Sequence, residues 1–160
     1  MEKFTDISQR LSATLDEALP MLHKIAEEQA VTKPQPKKWS KKEIIGHLLD
    51  SASNNHQRFT RAAIQGSLNF PAYDQDPLVA LERFQEMRWS ELLKFWEGYN
   101  RFLAHVIAGL PQGKAATQCI IGDHDPVTLE WLASDYVEHL KHHLNQILGK
   151  RWTSTYQPPV

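Results

Sequence analysis

The chain has 160 residues, of which 41% are hydrophobic and 23% are charged, as is typical of one globular domain. With 18 basic and 19 acidic residues, its formal net charge of −1 argues against a nucleic-acid partner held by a basic face. The single cysteine, Cys119, excludes an internal disulfide and any site built from several cysteines. No apolar stretch approaches the ~20 residues of a membrane span and no secretory signal is visible, so we expect a cytoplasmic protein with no membrane partner.

The first predicted helix covers residues 5–30, where apolar side chains recur every three or four positions. Pro20 falls inside this pattern and predicts a kink or a break, because proline cannot donate the helical hydrogen bond. Residues 33–38 contain two prolines and three lysines, which predict a linker.

The second predicted helix begins after Ser40, because Ser40 and Glu43 have the spacing of a capping box. Its apolar pattern continues to a predicted stop near Gly66. Residues 67–75 show no helical period, so we expect a connecting loop there.

Two further helices complete the predicted pattern. Asp76 as N-cap and Pro77 as first residue predict a third helix that ends before Gly109. A last helix is expected between Thr128 and Gly149, preceded over residues 112–127 by a short hairpin or a plain loop. The tail, residues 156–160, should be irregular. We therefore predict an all-α fold, a single four-helix bundle domain spanning residues 1–160.

Two histidines of the last helix, His139 and His143, are four residues apart and share one face beside the apolar stripe. This is the spacing at which two imidazoles on a helix bind one metal ion. It also arises by chance in a chain with eight histidines. The pair alone therefore leaves metal binding open.

A polar stripe borders the apolar face of the second helix, and such a stripe is costly beside a core unless its members have partners or line a cavity. Its members are His47, Ser51, Asn54, Asn55 and Arg58. If the second and last helices are antiparallel, His47 lies at the depth of His139 and His143 and becomes the third ligand. A parallel arrangement with offset helices fits the same spacing.

The other five histidines are assigned to ordinary hydrogen-bonded or solvent-facing roles: His23, His56, His105, His124 and His142. We expect His142 to face outward, away from His139 and His143. His124 lies in the loop before the last helix, from which it could reach over a pocket.

Several segments together resemble the DinB/YfiT-like superfamily. They are residues 39–51 (Trp-Ser-x-x-Glu-Ile-Ile-Gly-His-Leu-x-Asp-Ser), 54–59, 73–76, 128–129, and 135–147 with its His-x-x-x-His pair. The likeness runs in order through nearly the whole chain. It implies a bundle of up-down-down-up topology, a homodimer, and a divalent-metal site formed by His47, His139 and His143.

The resemblance also implies an activity. Members of this superfamily are described as metal-dependent hydrolases, or as S-transferases that join a low-molecular-weight thiol (bacillithiol, mycothiol or glutathione) to an electrophile. We therefore expect a metal-dependent enzyme that acts on a small molecule. Two alternatives stay open: a non-catalytic metal-binding bundle, and a dimerising helical module without metal.

Three neutral imidazoles leave a coordination position free for water or substrate, as in catalytic zinc sites. Zinc or nickel is the expected ion, with iron, manganese and copper as alternatives. Leu140 follows the first histidine of the pair, which excludes the metalloprotease helix with its glutamate base. No carboxylate stands out as a general base. The expected substrate pocket or ligand-orienting residues are Ser51, Asn54, Asn55, Arg58 and Tyr136.

Overall fold

The computed structural model describes residues 3–158. Its helices are α1 (Lys3–Leu22), α2 (Glu27–Val31), α3 (Lys41–Gln65), α4 (Gln75–Glu82), α5 (Trp89–Ala108) and α6 (Leu129–Leu148). Its strands are β1 (Leu68–Phe70), β2 (Gln118–Ile121) and β3 (Val127–Thr128). Within this part of the chain, no helix combines the length and apolar character that crossing a membrane requires.

The four long helices α1, α3, α5 and α6 form the bundle. Lys3 of α1 contacts Glu130 of α6, and Arg10, further along α1, contacts Glu138, further along α6. These two helices are therefore parallel. Contacts between α1 and α5 run in opposite directions, from Ser8–Ala104 to Leu22–Trp89.

The pairing of α3 with α6 is antiparallel. His47 lies beside His143, and Phe59 lies beside Tyr136. Since α5 is antiparallel to α1 while α6 is parallel to it, the four helices run up, down, down and up. The predicted four-helix bundle and its topology are confirmed, with a small sheet added at one end.

The break predicted near Pro20 is confirmed. The helix α1 ends at Leu22, two residues beyond Pro20, and the short helix α2 follows separately. Pro20 lies in the last turn of α1, where the loss of one backbone donor is tolerated before the helix stops.

Both ends of α3 follow the predicted local chemistry. The Ser40 Oγ accepts a hydrogen bond from the Glu43 backbone N–H at 3.2 Å, and the Ser40 N–H donates to Glu43 Oε2 at 2.8 Å. At the other end Gly66 adopts φ 79°, a left-handed conformation that favours glycine, and its N–H donates to the Ala62 carbonyl. The polar stripe therefore lies on one rigid helix of 25 residues.

The prediction of one uninterrupted third helix is wrong. Arg83 adopts a left-handed backbone (φ 55°), which ends α4, and α5 starts only at Trp89. The start of α4 also differs from the prediction, since Asp74 rather than Asp76 occupies the N-cap position and Pro77 is the third helical residue. Because the apolar period continues across the break, the sequence pattern does not reveal it.

The small sheet has the order β1-β2-β3. The β2–β3 pair is antiparallel, which confirms the hairpin alternative for residues 112–127 and extends it to Thr128. The prediction of a plain loop over residues 67–75 is wrong, because β1 pairs in parallel with β2, Leu68 opposite Cys119. This pairing joins segments about fifty residues apart, and it positions the chain that leads to α4.

Gly46 allows close packing one residue before His47. A Cβ at position 46 would overlap the ring of Phe84, a buried side chain in the 3₁₀ turn between α4 and α5. The lack of a side chain at Gly46 therefore lets the Phe84 ring lie directly on the backbone of α3.

We expect Gly46→Ala to lower the free energy of unfolding by about 1–3 kcal/mol, because the buried Phe84 ring must move to make room. Gly98→Ala on α5 is the matched control: its Cβ would meet nothing within 4 Å, so it should raise stability by up to ~1 kcal/mol through helix propensity. Urea unfolding of both variants measures the difference. Equal stability of the two variants would contradict this account of Gly46.

Candidate metal centre

Three histidines converge between α3 and α6. The Nε2 atoms of His47 and His139 are 3.1 Å apart, and the ring of His143 lies 4.6 Å from that of His47 and 4.5 Å from that of His139. One nitrogen of each ring lies within 4.8 Å of the other two. All three side chains are at least 91% buried.

The three imidazoles are neutral at neutral pH. Burial, followed by the proximity of His143, lowers the pKa of His47 to about 3. Burial also lowers the pKa of His143 to about 4 and that of His139 well below its usual value. Neutral imidazoles are the form that binds a metal ion.

The spacing also suits a cation. Two nitrogens bound to one tetrahedral zinc at ~2.05 Å are about 3.3 Å apart, close to the 3.1 Å between the Nε2 atoms of His47 and His139. Without a cation, one of these two neutral rings can donate an Nε2–H to the Nε2 of the other, whereas a bound cation would be contacted by the lone pairs of both. The residues present therefore fit a divalent metal ion.

The outer nitrogens of two rings have hydrogen-bond partners that favour this orientation. His143 Nδ1 lies 2.9 Å from Gln146 Oε1, and His139 Nδ1 lies 3.4 Å from Ser51 Oγ. A proton on Nδ1 leaves Nε2 free as a ligand. His47 Nδ1 is buried without a partner among the described residues, and the ring of His47 packs against Trp39 at 4.9 Å.

Ser51 connects the metal centre to the residues around it. The Asn55 Nδ2 donates to the Ser51 carbonyl at 2.9 Å and lies 3.3 Å from its Oγ. Tyr73, in the segment before α4, lies close to the Ser51 side chain. Burial, the largest effect, raises the pKa of Tyr73 to about 12, so its phenol keeps its proton and can donate it to a hydrogen bond.

A cavity of about 330 Å³ opens beside the rings of His47 and His139. It is lined by His47, Ser51, Asn55, Arg58, Tyr73, Asp74, Gln75, Leu132, Asp135, Tyr136, His139 and Tyr156. A space of this volume accommodates a small molecule.

Asp135 is a carboxylate in this cavity that sequence reasoning missed. It lies one turn before His139 on α6, so both side chains project from the same face. Burial, followed by the nearby Glu138, raises the pKa of Asp135 to about 6. The i, i+4 spacing from Asp135 to His139 is a signal that could have identified this residue.

A second cavity, of about 530 Å³, lies on the His143 side of the cluster. It is lined by Pro34, Lys37, Lys38, Trp39, Ile44, Gln75, Asp76, His142, His143, Gln146, Tyr156 and Pro158. Gln75 and Tyr156 line both cavities, so the two spaces are neighbours, one beside His143 and the other beside His47 and His139.

The segment after α6 covers the metal centre. The ring of Tyr156 lies 4.8 Å from that of His139. Glu138 fixes this segment, since its Oε2 accepts from the Thr155 N–H at 3.1 Å and its carbonyl accepts from Ser154 Oγ at 2.7 Å. Residues 156–158 are irregular, as predicted, while Pro159 and Val160 lie outside the described residues. The place of Tyr156 beside the histidines could not be read from the sequence.

The predicted pocket residues do not all reach the cavity. Ser51, Asn55, Arg58 and Tyr136 line it, although the Tyr136 hydroxyl is already bonded to Asn100 Oδ1 at 2.5 Å. Asn54 is not among the lining residues, and its Nδ2 donates to the Asp50 carbonyl.

Two of the remaining histidines also need comment. His142 does not face fully outward as expected: it is half-buried, with its ring 5.0 Å from that of His143, and it lines the larger cavity. His124 is exposed in the β2–β3 turn and lines neither cavity.

Known proteins share this architecture. The family model described as the DinB superfamily matches residues 10–147. The solved structure of YfiT from Bacillus subtilis, described as a probable metal-dependent hydrolase with an unusual four-helix bundle topology, superposes with a TM-score of 0.74 at 20% identity. The match covers 91% of this chain and 82% of YfiT, and at this identity it shows the fold. No curated protein matches the chain.

Zinc should raise the unfolding temperature of the protein, because a ligand that binds only the folded state adds about 2.7 kcal/mol at a hundred times its dissociation constant. In His47→Ala we expect zinc affinity to fall at least about 100-fold. Loss of a residue that only orients a ligand costs up to about this much, so loss of a ligand itself should cost at least as much. Calorimetric titration with zinc measures both affinity and stoichiometry, expected to be one ion per chain.

His56→Ala is the matched control for this titration. His56 lies on the same helix, where its Nδ1 pairs with the Tyr99 hydroxyl, away from the cluster. It should bind zinc as the wild type does. Equal losses in the two variants would mean that the affinity does not depend on the three-histidine cluster.

Proposed function

The chain belongs to the DinB superfamily, and from this premise we propose that it is a metal-dependent hydrolase of a small molecule. The observation that carries the proposal is the buried cluster of His47, His139 and His143, whose ligand atoms lie within 4.8 Å of one another beside a cavity that also contains Asp135. A divalent ion held there supplies a Lewis acid that lowers the pKa of water and polarises a carbonyl or phosphoryl oxygen.

Asp135 has the properties of a general base. With a pKa raised to about 6, its carboxylate is ionised at neutral pH yet basic enough to accept a proton. It accepts the proton of the attacking water, whose oxygen forms the new bond to the substrate. The bond from the attacked carbon or phosphorus to the leaving group then breaks, and the leaving group takes the proton from Asp135.

Ser51, Asn55 and Tyr73 position the reacting groups. Ser51 holds the ring of His139 through Nδ1, and Asn55 fixes the Ser51 hydroxyl. Tyr73 lines the same cavity with a protonated phenol, which can donate a hydrogen bond to a substrate oxygen that gains negative charge.

The donor set leaves several ions in competition. Three imidazoles suit zinc, nickel, iron and copper, and we propose zinc or nickel first, with iron, manganese and copper as the alternatives to be tested. All three ligands are imidazoles and none is a carboxylate, which disfavours magnesium and calcium.

One observation favours a second candidate, transfer of a low-molecular-weight thiol to an electrophile. His143 lines the larger cavity while His47 and His139 line the smaller one, so two reactants could approach the same cluster from different sides. Lys37 and Lys38 line the larger cavity, and they would attract the carboxylates of a thiol such as glutathione.

We expect the metal-loaded protein to hydrolyse members of a panel of small esters, amides and phosphoesters, and His47→Ala to lose this activity while His56→Ala keeps it. Each ion is loaded separately, and turnover is measured by the release of product.

Conjugation of glutathione, bacillithiol or mycothiol to monochlorobimane without any hydrolysis would instead favour the transferase. Zinc binding with neither reaction would favour a non-catalytic metal-binding bundle, and absence of metal binding a purely helical module.

Asp135→Asn should lower kcat about 10²- to 10⁴-fold, the usual contribution of a general base. In the wild type, kcat/KM should rise with pH through about 6, because Asp135 acts only as the carboxylate and gains that form above its pKa. The variant should lose this rising limb and retain zinc binding. A rising limb that persists in Asp135→Asn would assign the base to another group.

A further inference from the structure

Arg58 is a buried cation with no ionic partner. It is 91% buried on α3, and its Nε has no hydrogen-bond partner. Within residues 3–158 it forms neither an ion pair nor a hydrogen bond, whereas Arg10 and Arg101 each pair with a carboxylate. A buried guanidinium left without an anion is costly, so its place in the fold calls for an explanation.

Two aromatic rings hold the guanidinium in the cavity. Its Cζ lies 5.5 Å from the centre of the Phe70 ring and 6.0 Å from that of Tyr73. Phe70 belongs to β1, so the parallel strand pairing that the sequence did not predict supplies one side of this arrangement. Such contacts stabilise a cation but leave its N–H donors without acceptors.

The charges around Arg58 leave it available to a ligand. Asp74 and Asp135 line the same cavity, yet neither forms an ion pair with it. His139, the nearest part of the metal centre, lies within electrostatic range of Arg58 and is itself uncharged. Five guanidinium donors in a planar fork match a carboxylate or a phosphate, the anions that arginine binds in bidentate fashion.

We propose that the substrate of this site carries an anionic group, a carboxylate or a phosphate, which Arg58 binds while the reacting bond lies at the histidine cluster. The inference rests on the proposed function, because it identifies the substrate class of the same cavity. Arg58 lies eleven residues after His47 on α3, about 16 Å along the helix axis at ~1.5 Å per residue. Because the side chains of both residues line the same cavity, one substrate could place its anionic group at Arg58 and its reacting bond at the histidine cluster.

The test uses three probes: N-acetylglycine, its neutral analogue N-acetylglycinamide, and methyl phosphate. Binding to the zinc-loaded and the zinc-free protein is measured by calorimetry, and the ¹⁵N–¹H signal of Arg58 Nε is followed by NMR. We expect one or both anions to shift this signal and to bind about 10- to 100-fold more tightly than the neutral amide, as for a hydrogen bond to a charged group. Comparison of the two anions tells carboxylate from phosphate recognition.

Arg58→Gln should remove this preference, and Arg58→Lys should retain part of it. The matched control is Arg61→Gln, which removes an exposed arginine one turn further along α3, bonded to Gln57, and should bind the anions as the wild type does. An anion preference that survives in Arg58→Gln would overturn the proposal, since the anion would then bind the metal or another group. The proposal would also be overturned if none of the three probes shifted the NMR signal of Arg58 Nε. This measurement uses the wild-type protein, so it does not depend on whether a variant folds.

The outcomes separate this inference from the proposed function. If zinc binds but no anion changes the Arg58 signal, the inference that the substrate is anionic is wrong, while the proposed metal-dependent activity is not contradicted. If the anions bind through Arg58 while no metal binds to the histidines, the inference about Arg58 holds and the proposed hydrolase fails.

Discussion

The antiparallel contact between α3 and α6 buries three imidazole rings with no acidic side chain among them. Removal from water keeps these rings uncharged and leaves two Nε2 atoms facing each other at 3.1 Å. Burial is unfavourable for the Nδ1 atom of His47, which loses water without gaining a hydrogen-bond partner among the described residues. The same contact brings Ser51 of α3 to the Nδ1 atom of His139, and the smaller cavity opens beside the rings that it brings together.

Charge in the smaller cavity is arranged differently from charge on the surface. Surface groups such as Lys3 and Glu130 pair directly. Inside the cavity, Arg58 is buried and Asp135 is half-buried, and the two side chains do not pair with each other. Groups kept apart in this way retain their capacity to interact with a third molecule, which is a property of binding sites rather than of structural ion pairs.

Local signals in the sequence predicted the features that depend on neighbours along the chain. The capping box at Ser40, the stop at Gly66 and the shared face of His139 and His143 each depend on residues a few positions apart. The joint position of His47 with that pair required a choice of helix direction, which the residues alone left open and the resemblance to a known superfamily favoured.

Features that depend on distant residues escaped prediction. The split between α4 and α5 follows from the left-handed backbone of Arg83. Arginine rarely adopts this conformation, so the residue type gave no reason to predict it. The strand β1 exists only through its pairing with β2, and Tyr156 reaches the histidines because Glu138 holds the segment before it. The homodimer, the thiol partner and the cytoplasmic location stay predictions.

The separation of the ligands along the chain has a consequence for folding. His47 and His139 are 92 residues apart, so an ion shared by them closes a loop that contains α4, α5 and the whole sheet. Closing a long loop restricts the unfolded chain more than closing a short one, although the dependence on length is only logarithmic. An ion bound there would act as a reversible cross-link, and its removal would loosen the connection between the two halves of the polypeptide as well as the site itself.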